Sequence, residues 1–505
     1  MVRVRITTLL VIMACLTLSI AHADDRDVIA ERLYQAHEAY HAEIELIRAE
    51  TVKELETKEA AERKRTNPDL ERIKSLKNER EQLETNGKIP GSSSAKIKGR
   101  INKSRATFVS LLTVAKNAYI RDKRDADAEA VSIELQKFQA EGILLVKASA
   151  KLSWPDPKKP WGKPAFLQWA NQVAALPAQK QVEAVTKKLV ELNPGFDGDV
   201  KPGFEGETVT GVVIPGSTLT DLSPLRALRG LKVLACSAGK LTDLSPLRGM
   251  PLTNIAVHST KVSDLSPLKG MPLTHFGCSH TPVADLSPLK GMPLVHLYLN
   301  GTAVTDLSIV KGMPLAELEI QSTKIADLSP LKGLPLSIIN CTVTPVSDLT
   351  PLRGMRLTYL NCAYTRVADL APLKGMPLRQ LYLNGTAVTD LSLLQGMPLT
   401  EFAIHSTKIS DLSPLKGMPL TNFGCADTPV SDLTPLRGMP LTSLWFHRSK
   451  VTDYSLLKEL PLTDVYLDFD PARDTKLLRS IKTLTKINNI PVAEFWKKLE
   501  APEKK

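Results

Sequence analysis

An aspartate recurs at Asp221, Asp243, Asp264, Asp285, Asp306, Asp327, Asp348, Asp369, Asp390, Asp411, Asp432, Asp453 and Asp474. After one step of 22 residues, every step is 21. The same phrase surrounds each one. It is clearest in Leu252-Thr-Asn-Ile-Ala-Val-His-Ser-Thr-Lys-Val-Ser-Asp264-Leu-Ser-Pro-Leu-Lys-Gly270 and starts again at Leu273. A fixed period in this range means like units stacked along one direction, each meeting only its neighbours. The 505-residue chain is otherwise too long for one core and should divide into domains.

Within a unit, Leu273, Phe276, Cys278, Val283, Leu286 and Leu289 are apolar, the L-x-x-L-x-L pattern of leucine-rich repeats. The first three alternate as one strand. Ser266-Pro267 then predicts a single helical turn, with serine as N-cap and proline at its first position, closed by Gly270. One unit buries too little apolar surface to offset the ordering of its own backbone, so stacking must supply the rest. The expected fold is an α/β solenoid, a leucine-rich repeat array of about 13 repeats of 21–22 residues over 209–474.

Three columns read as structural devices. Thr281, with Thr260, Thr302, Thr323, Thr344, Thr365, Thr386, Thr407 and Thr428, stands where many such repeats carry asparagine. Its hydroxyl can bond the backbone at a tight turn. The aspartates read as turn and capping groups rather than acid catalysts or metal ligands. Cys236, Cys278, Cys341, Cys362 and Cys425 share a column with Val257, Leu299, Ile320, Leu383, Ile404 and Phe446, so cysteine is used as a small core hydrophobe and free thiols are expected. A fourth column is basic: Arg226, Arg248, Lys269, Lys290, Lys311, Lys332, Arg353, Lys374, Lys416, Arg437 and Lys458, interrupted by Gln395. A cation there suits the carbonyl end of a helical turn, and the alternative is a line of charge for an anionic polymer.

The array is not the whole chain. Arg3 and Arg5 precede the apolar run Leu9–Ala21, and Ala21-His22-Ala23 is an A-x-A cleavage site, so 1–23 is expected to be a secretory signal peptide. Ile12-Met-Ala-Cys15 resembles a lipoprotein box, but Met13 fits it poorly and no lipid anchor is expected. No later segment is apolar enough to span a bilayer. Over 24–150, Ile29, Leu33, Ala36, Tyr40, Ile44 and Ile47 begin an amphipathic pattern that resumes after the loop Asn86–Ser94, predicting a helical hairpin or coiled coil turning at that loop. A Pro-rich linker (151–165), a short helical N-cap region (166–208) and a mainly helical C-terminal cap (475–505) complete the division.

The phrase Val-Ser-Asp-Leu-Ser-Pro-Leu-Lys-Gly-Met-Pro-Leu resembles the short bacterial repeats of internalins and, more closely, secreted repeat proteins of planctomycete bacteria. Similar arrays accompany predicted bacterial serine/threonine kinases. The stretches Val182–Gly198 and Ile487–Trp496 look like the same family. This chain has no Gly-rich loop, H-R-D or D-F-G, so kinase activity does not carry over. The resemblance implies binding in the cell envelope.

On such a fold the strand face is concave, and residues between the core positions point out from it. The expected binding residues are His275, His296, Tyr298, Glu319, Tyr359, Tyr382, His405, Trp445, His447 and Tyr466, a mixture suited to protein or sugar recognition. The segment Tyr298-Leu-Asn-Gly-Thr-Ala-Val-Thr-Asp-Leu-Ser308 recurs verbatim from Tyr382 to Ser392, so copying has set part of this face. His37-Glu38-Ala-Tyr-His41 matches H-E-x-x-H, but without upstream strands it has no substrate cleft, and Tyr40 belongs to the packing stripe.

The sequence therefore predicts a non-enzymatic, exported scaffold with a protein partner, or an adhesin-like binder of glycan or anionic surface polymer. No cofactor, metal or nucleic acid partner is expected. The net charge of +11 suits a polyanion, but export argues against nucleic acid.

Overall fold

The computed structural model describes residues 26–121 (except 68 and 87), 128, 131, 132, 135, 136, 160–162 and 164–500 (except 217). The expected signal segment and most of the Pro-rich linker lie outside these residues. Among the described residues no helix is long and apolar enough to cross a membrane.

The N-terminal unit consists of α1 (Arg26–Arg63), α2 (Leu70–Asn86) and α3 (Ala95–Arg121). Leu33, Ile44, Ile47 and Leu55 of α1 are buried against Leu76, Leu83, Phe108 and Leu112 of the other two. Both α2 and α3 run back along α1. The Arg48 guanidinium donates to the Leu83 and Glu84 carbonyls, and Arg100 pairs with Glu43 and Glu50 at 2.7 and 2.5 Å. The chain therefore reverses at 64–69, not at the Asn86–Ser94 loop as the sequence suggested. That loop is a break within the returning arm, tied down where the Ser94 N–H donates to Glu54 and Lys58 donates to the Ser92 carbonyl. The helix ends at Arg63, and the helical region is disfavoured for Asn67 because a proline follows it, so α1 does not run on through this segment.

The rest is one sheet of 16 strands in strict sequence order. A hairpin, β1 (Lys201–Glu205) with β2 (Thr208–Ile214), opens it. The repeat strands follow: β3 (Val233–Cys236), β4 (Asn254–Ala256), β5 (His275–Gly277), β6 (His296–Tyr298), β7 (Glu317–Glu319), β8 (Ile338–Asn340) and β9 (Tyr359–Asn361). They continue through β10 (Gln380–Tyr382), β11 (Glu401–Ala403), β12 (Asn422–Gly424), β13 (Ser443–Trp445) and β14 (Asp464–Tyr466). A second hairpin, β15 (Lys486–Ile487) with β16 (Ile490–Pro491), closes it. From β2 to β15 every pairing is parallel. The molecule is thus an unclosed α/β solenoid of leucine-rich repeats. Both ends of the sheet finish in an antiparallel hairpin, which leaves no long repeat strand exposed as an edge.

Each repeat strand sends one residue inward, and these stack as Phe276, Leu297, Leu318, Ile339, Leu360, Leu381, Phe402 and Phe423, all buried. After the strand, the Thr281 hydroxyl donates to the Cys278 carbonyl at 2.6 Å, and Thr302, Thr344 and Thr386 do the same in their repeats. A 3-10 turn such as Ser266–Leu268 then returns the chain. Its start is held by aspartate, not by serine: Asp264 accepts the Ser266 N–H and hydroxyl, both at 2.8 Å, and Leu265 occupies the cap position. In so short a turn the first free N–H belongs to the serine itself, so an acceptor two residues upstream is the one that reaches it. Gly270, at φ +78°, bends the chain toward the next strand.

Two helical caps cover the apolar ends of the stack. Before it, α4 (Pro164–Ala174) and α5 (Ala178–Leu192) pack on the first turn. There the buried Asn193 amide accepts the Thr220 and Asp221 N–H groups and donates to the Asp221 carbonyl. After it come α6 (Pro471–Ser480) and α7 (Val492–Glu500). Asp474, the last of the periodic aspartates, does not begin a repeat turn. It lies fully buried in α6, accepting the Asp470 N–H and the Arg473 guanidinium, while Asp470 caps the helix.

Candidate functional site

The register builds the strand-side face from three columns. His275, His296, Glu317, Ile338, Tyr359, Gln380 and Glu401 are direct neighbours down the first. Tyr298, Glu319, Asn340, Asn361 and Tyr382 follow one another down the second. The third comes just after the strands and holds His258, Asn300, Gln321, Asn384, His405 and His447.

The ten sequence-predicted residues fall into three groups. In the first, the His275 and His296 rings stack at 4.3 Å, His296 Nδ1 lies 2.9 Å from Glu317, and the Tyr298 hydroxyl donates to the same carboxylate at 3.0 Å. Glu319 accepts from the Asn300 amide at 2.6 Å. Partial burial, and then the neighbouring His296, hold the His275 imidazolium below its ordinary range. Burial together with the Glu317 charge pushes the Tyr298 phenol up to about 12.

The second group repeats the first group's motif. Tyr359 lies 5.7 Å from Tyr382, whose hydroxyl donates to Glu401 at 2.7 Å. In the third, His405 stacks with Trp445 at 5.9 Å, and His447 meets Tyr466 edge-on at 4.4 Å. Trp445 is the most open of the ten, at 42% exposure.

His405 has a structural duty that its column position alone did not reveal. Its Nδ1 accepts the Ala426 N–H at 3.0 Å, and His258 Nδ1 accepts the Ser279 N–H at 3.1 Å. Asn300 and Asn384 accept the corresponding N–H of the next repeat, from Gln321 and His405. The inter-repeat amide ladder therefore runs through the position two residues before the threonine, not through the threonine itself. The signal for it is the recurrence there of Asn and His, side chains with a forward-pointing acceptor. Burial is the main reason both histidines are held below the usual imidazole range, so they are neutral spacers more than titrating contacts. The His405 and His258 rings also fill the space where Gly424 and Gly277 have no Cβ; an added methyl would come within 2.3 and 2.4 Å of them.

The five described cysteines are free and buried. Burial pushes the Cys278, Cys341 and Cys425 thiols up to about 12, so their thiolates do not form near neutrality. The side chains of Glu38 and His41 lie outside the described residues. His37 is buried, with its ring 5.6 Å from Phe108. No cluster of three or more potential metal ligands occurs among the described residues. Arg226, the first member of the basic column, is packed rather than displayed: it lies 4.8 Å over the Trp161 ring and donates to the Pro246 carbonyl.

No protein-family model matches the chain, and no curated protein matches it in sequence. Solved structures align with part of it. Internalin C2 from Listeria monocytogenes is 23% identical over 40% of this chain and 81% of its own, with a TM-score of 0.30. The functional domain of InlJ from Listeria monocytogenes is 21% identical over 55% and 73%, with a TM-score of 0.39. The APL1 leucine-rich repeat domain is 14% identical over 53% and 77%, with a TM-score of 0.42. The solenoid assignment stands on this chain's own strand order and register.

Proposed function

We propose that the chain is an exported, non-enzymatic recognition scaffold of the bacterial cell envelope that docks a protein partner on its strand-side face. The observation that carries this reading is the unbroken register. It sets aromatic, amide and carboxylate side chains at fixed spacing on a rigid parallel sheet, and such side chains form the anchors of protein interfaces. A helical arm ahead of the array gives the scaffold a second surface.

Capture from envelope extract by wild-type protein, by Tyr298→Ala/Tyr382→Ala and by Lys290→Ala/Lys374→Ala separates the faces. Loss with the tyrosine pair and retention with the lysine pair is the expected result, and the reverse would sink this reading. A second reading rests on the basic column. Lys269, Lys290, Lys311 and Lys332 are exposed, and none makes an ion pair among the described residues. A glycan or other anionic surface polymer bound there would lose its affinity steeply with added salt.

A further inference from the structure

Although the chain carries a net charge of +11, none of the three columns of the strand-side face holds a lysine or arginine from β3 through β14. The charged groups there are acidic, among them Glu317, Glu319 and Glu401. None of these three makes an ion pair with lysine or arginine among the described residues. Glu317 is held by His296 and Tyr298, Glu319 by Asn300, and Glu401 by Tyr382. Arg379 stands at the strand margin and makes no ion pair with Glu401 among the described residues. Hydrogen bonds hold these carboxylates in place, and no lysine or arginine offsets their charge among the described residues.

Two of them share one construction. Tyr298 with Glu317 and Tyr382 with Glu401 each join a phenol to the carboxylate of the next strand, at 3.0 and 2.7 Å. An aromatic ring beside a fixed carboxylate that no lysine or arginine already occupies is a receptor for a cationic side chain, which gains a charge-assisted hydrogen bond and ring contact together. The two pairs are four strands apart, and at about 4.8 Å per strand they are separated by roughly 19 Å. Between Glu317 and Glu401 in the first column lie Ile338, Tyr359 and Gln380.

We propose that this face binds an extended, basic polypeptide segment across the strands. The two Tyr–Glu pairs take lysine or arginine side chains six residues apart, and Ile338 and Tyr359 take apolar residues between them. An extended chain advances about 3.3 Å per residue, so six residues cover roughly 20 Å, and even spacing puts both cations on one side. This rests on the strand face being the docking surface.

The test uses an end-blocked peptide containing Lys-Gly-Leu-Gly-Leu-Gly-Lys and a control with one further glycine between the lysines, titrated into the full chain by calorimetry. The expected result is binding of the first peptide and clearly weaker binding of the control. Glu317→Gln and Glu401→Gln should each weaken binding about tenfold, with the fold confirmed by circular dichroism. No binding, equal binding of the control, or indifference to both glutamine substitutions would overturn the proposal. Repeating the extract capture with Glu317→Gln/Glu401→Gln separates the two ideas. Capture that survives these changes but not Tyr298→Ala/Tyr382→Ala discards the cation receptor and keeps the docking face.

Discussion

From Ser259 to Arg448, the residue five before each repeat's aspartate adopts a left-handed backbone whatever its side chain. Ser259, His280, Ser322, Val343, Tyr364, Ser406, Asp427 and Arg448 have φ between 54° and 59°, and Gly301 and Gly385 share the position. A β-branched residue is strained there, and Val343 recovers little by burial, since it is 50% exposed. Val343→Asn should therefore raise stability by about 1 kcal/mol. Gly385→Ala should do the opposite, lowering it by about 1–2 kcal/mol, because the new methyl would meet the Tyr364 ring at 2.6 Å. Urea midpoints of the two variants would show whether the signs differ. This conformation was invisible in the sequence. The inter-strand bonds impose it, as where the Val343 N–H donates to the Ala363 carbonyl, so no residue type marks the column.

The 3-10 turn is the element on which pH acts. Hydrogen bonds from the residue two positions on hold the Asp285, Asp306, Asp390 and Asp411 carboxyls below the ordinary aspartate range. A depressed folded-state pKa contributes stability that is present above the unfolded value and lost as pH falls through the folded one. The urea midpoint should accordingly hold steady near neutrality and decline on acidification below the usual aspartate range near 4. Replacing these four residues by asparagine, which still accepts the N–H but does not titrate, should flatten that decline. An acid limb equally steep in the variant would show that other carboxylates dominate it. The aspartate–serine–proline phrase made the turn legible in the sequence, and the aspartates do cap it as their column suggested. That the serine does not cap as well was not legible, because it depends on a geometry only three residues long.

For the whole molecule, the in-line sheet means that each repeat leans only on the units beside it, so the two caps decide where opening starts. The buried cysteines report on this by position. Deleting 469–500, with the ring cluster of Phe469, Phe495 and Trp496, should make Cys425 react with a thiol reagent before Cys278 as urea rises. Simultaneous reaction of both would instead show a solenoid that opens as one unit. The array and its facing columns were readable from periodicity, because a 21-residue step admits few architectures. The N-terminal hairpin was readable as two arms, but its bend was misplaced, because the glycine- and serine-rich loop carries the louder turn signal than Asn67-Pro68. What joins Tyr298 to Glu317 spans neighbouring repeats and has no trace in a linear pattern, whereas the bond from His405 to Ala426 leaves only the recurrence of Asn and His in its column.

Since strand follows strand without crossover, copying or excising whole 21-residue blocks changes the length of the array while keeping every neighbour in phase. The verbatim return of Tyr298–Ser308 at Tyr382–Ser392, a whole number of periods along, is the kind of trace such copying leaves. The separation between matching carboxylates then behaves as a gauge with fixed graduations, which a lineage can reset by gene duplication without redesigning a single turn.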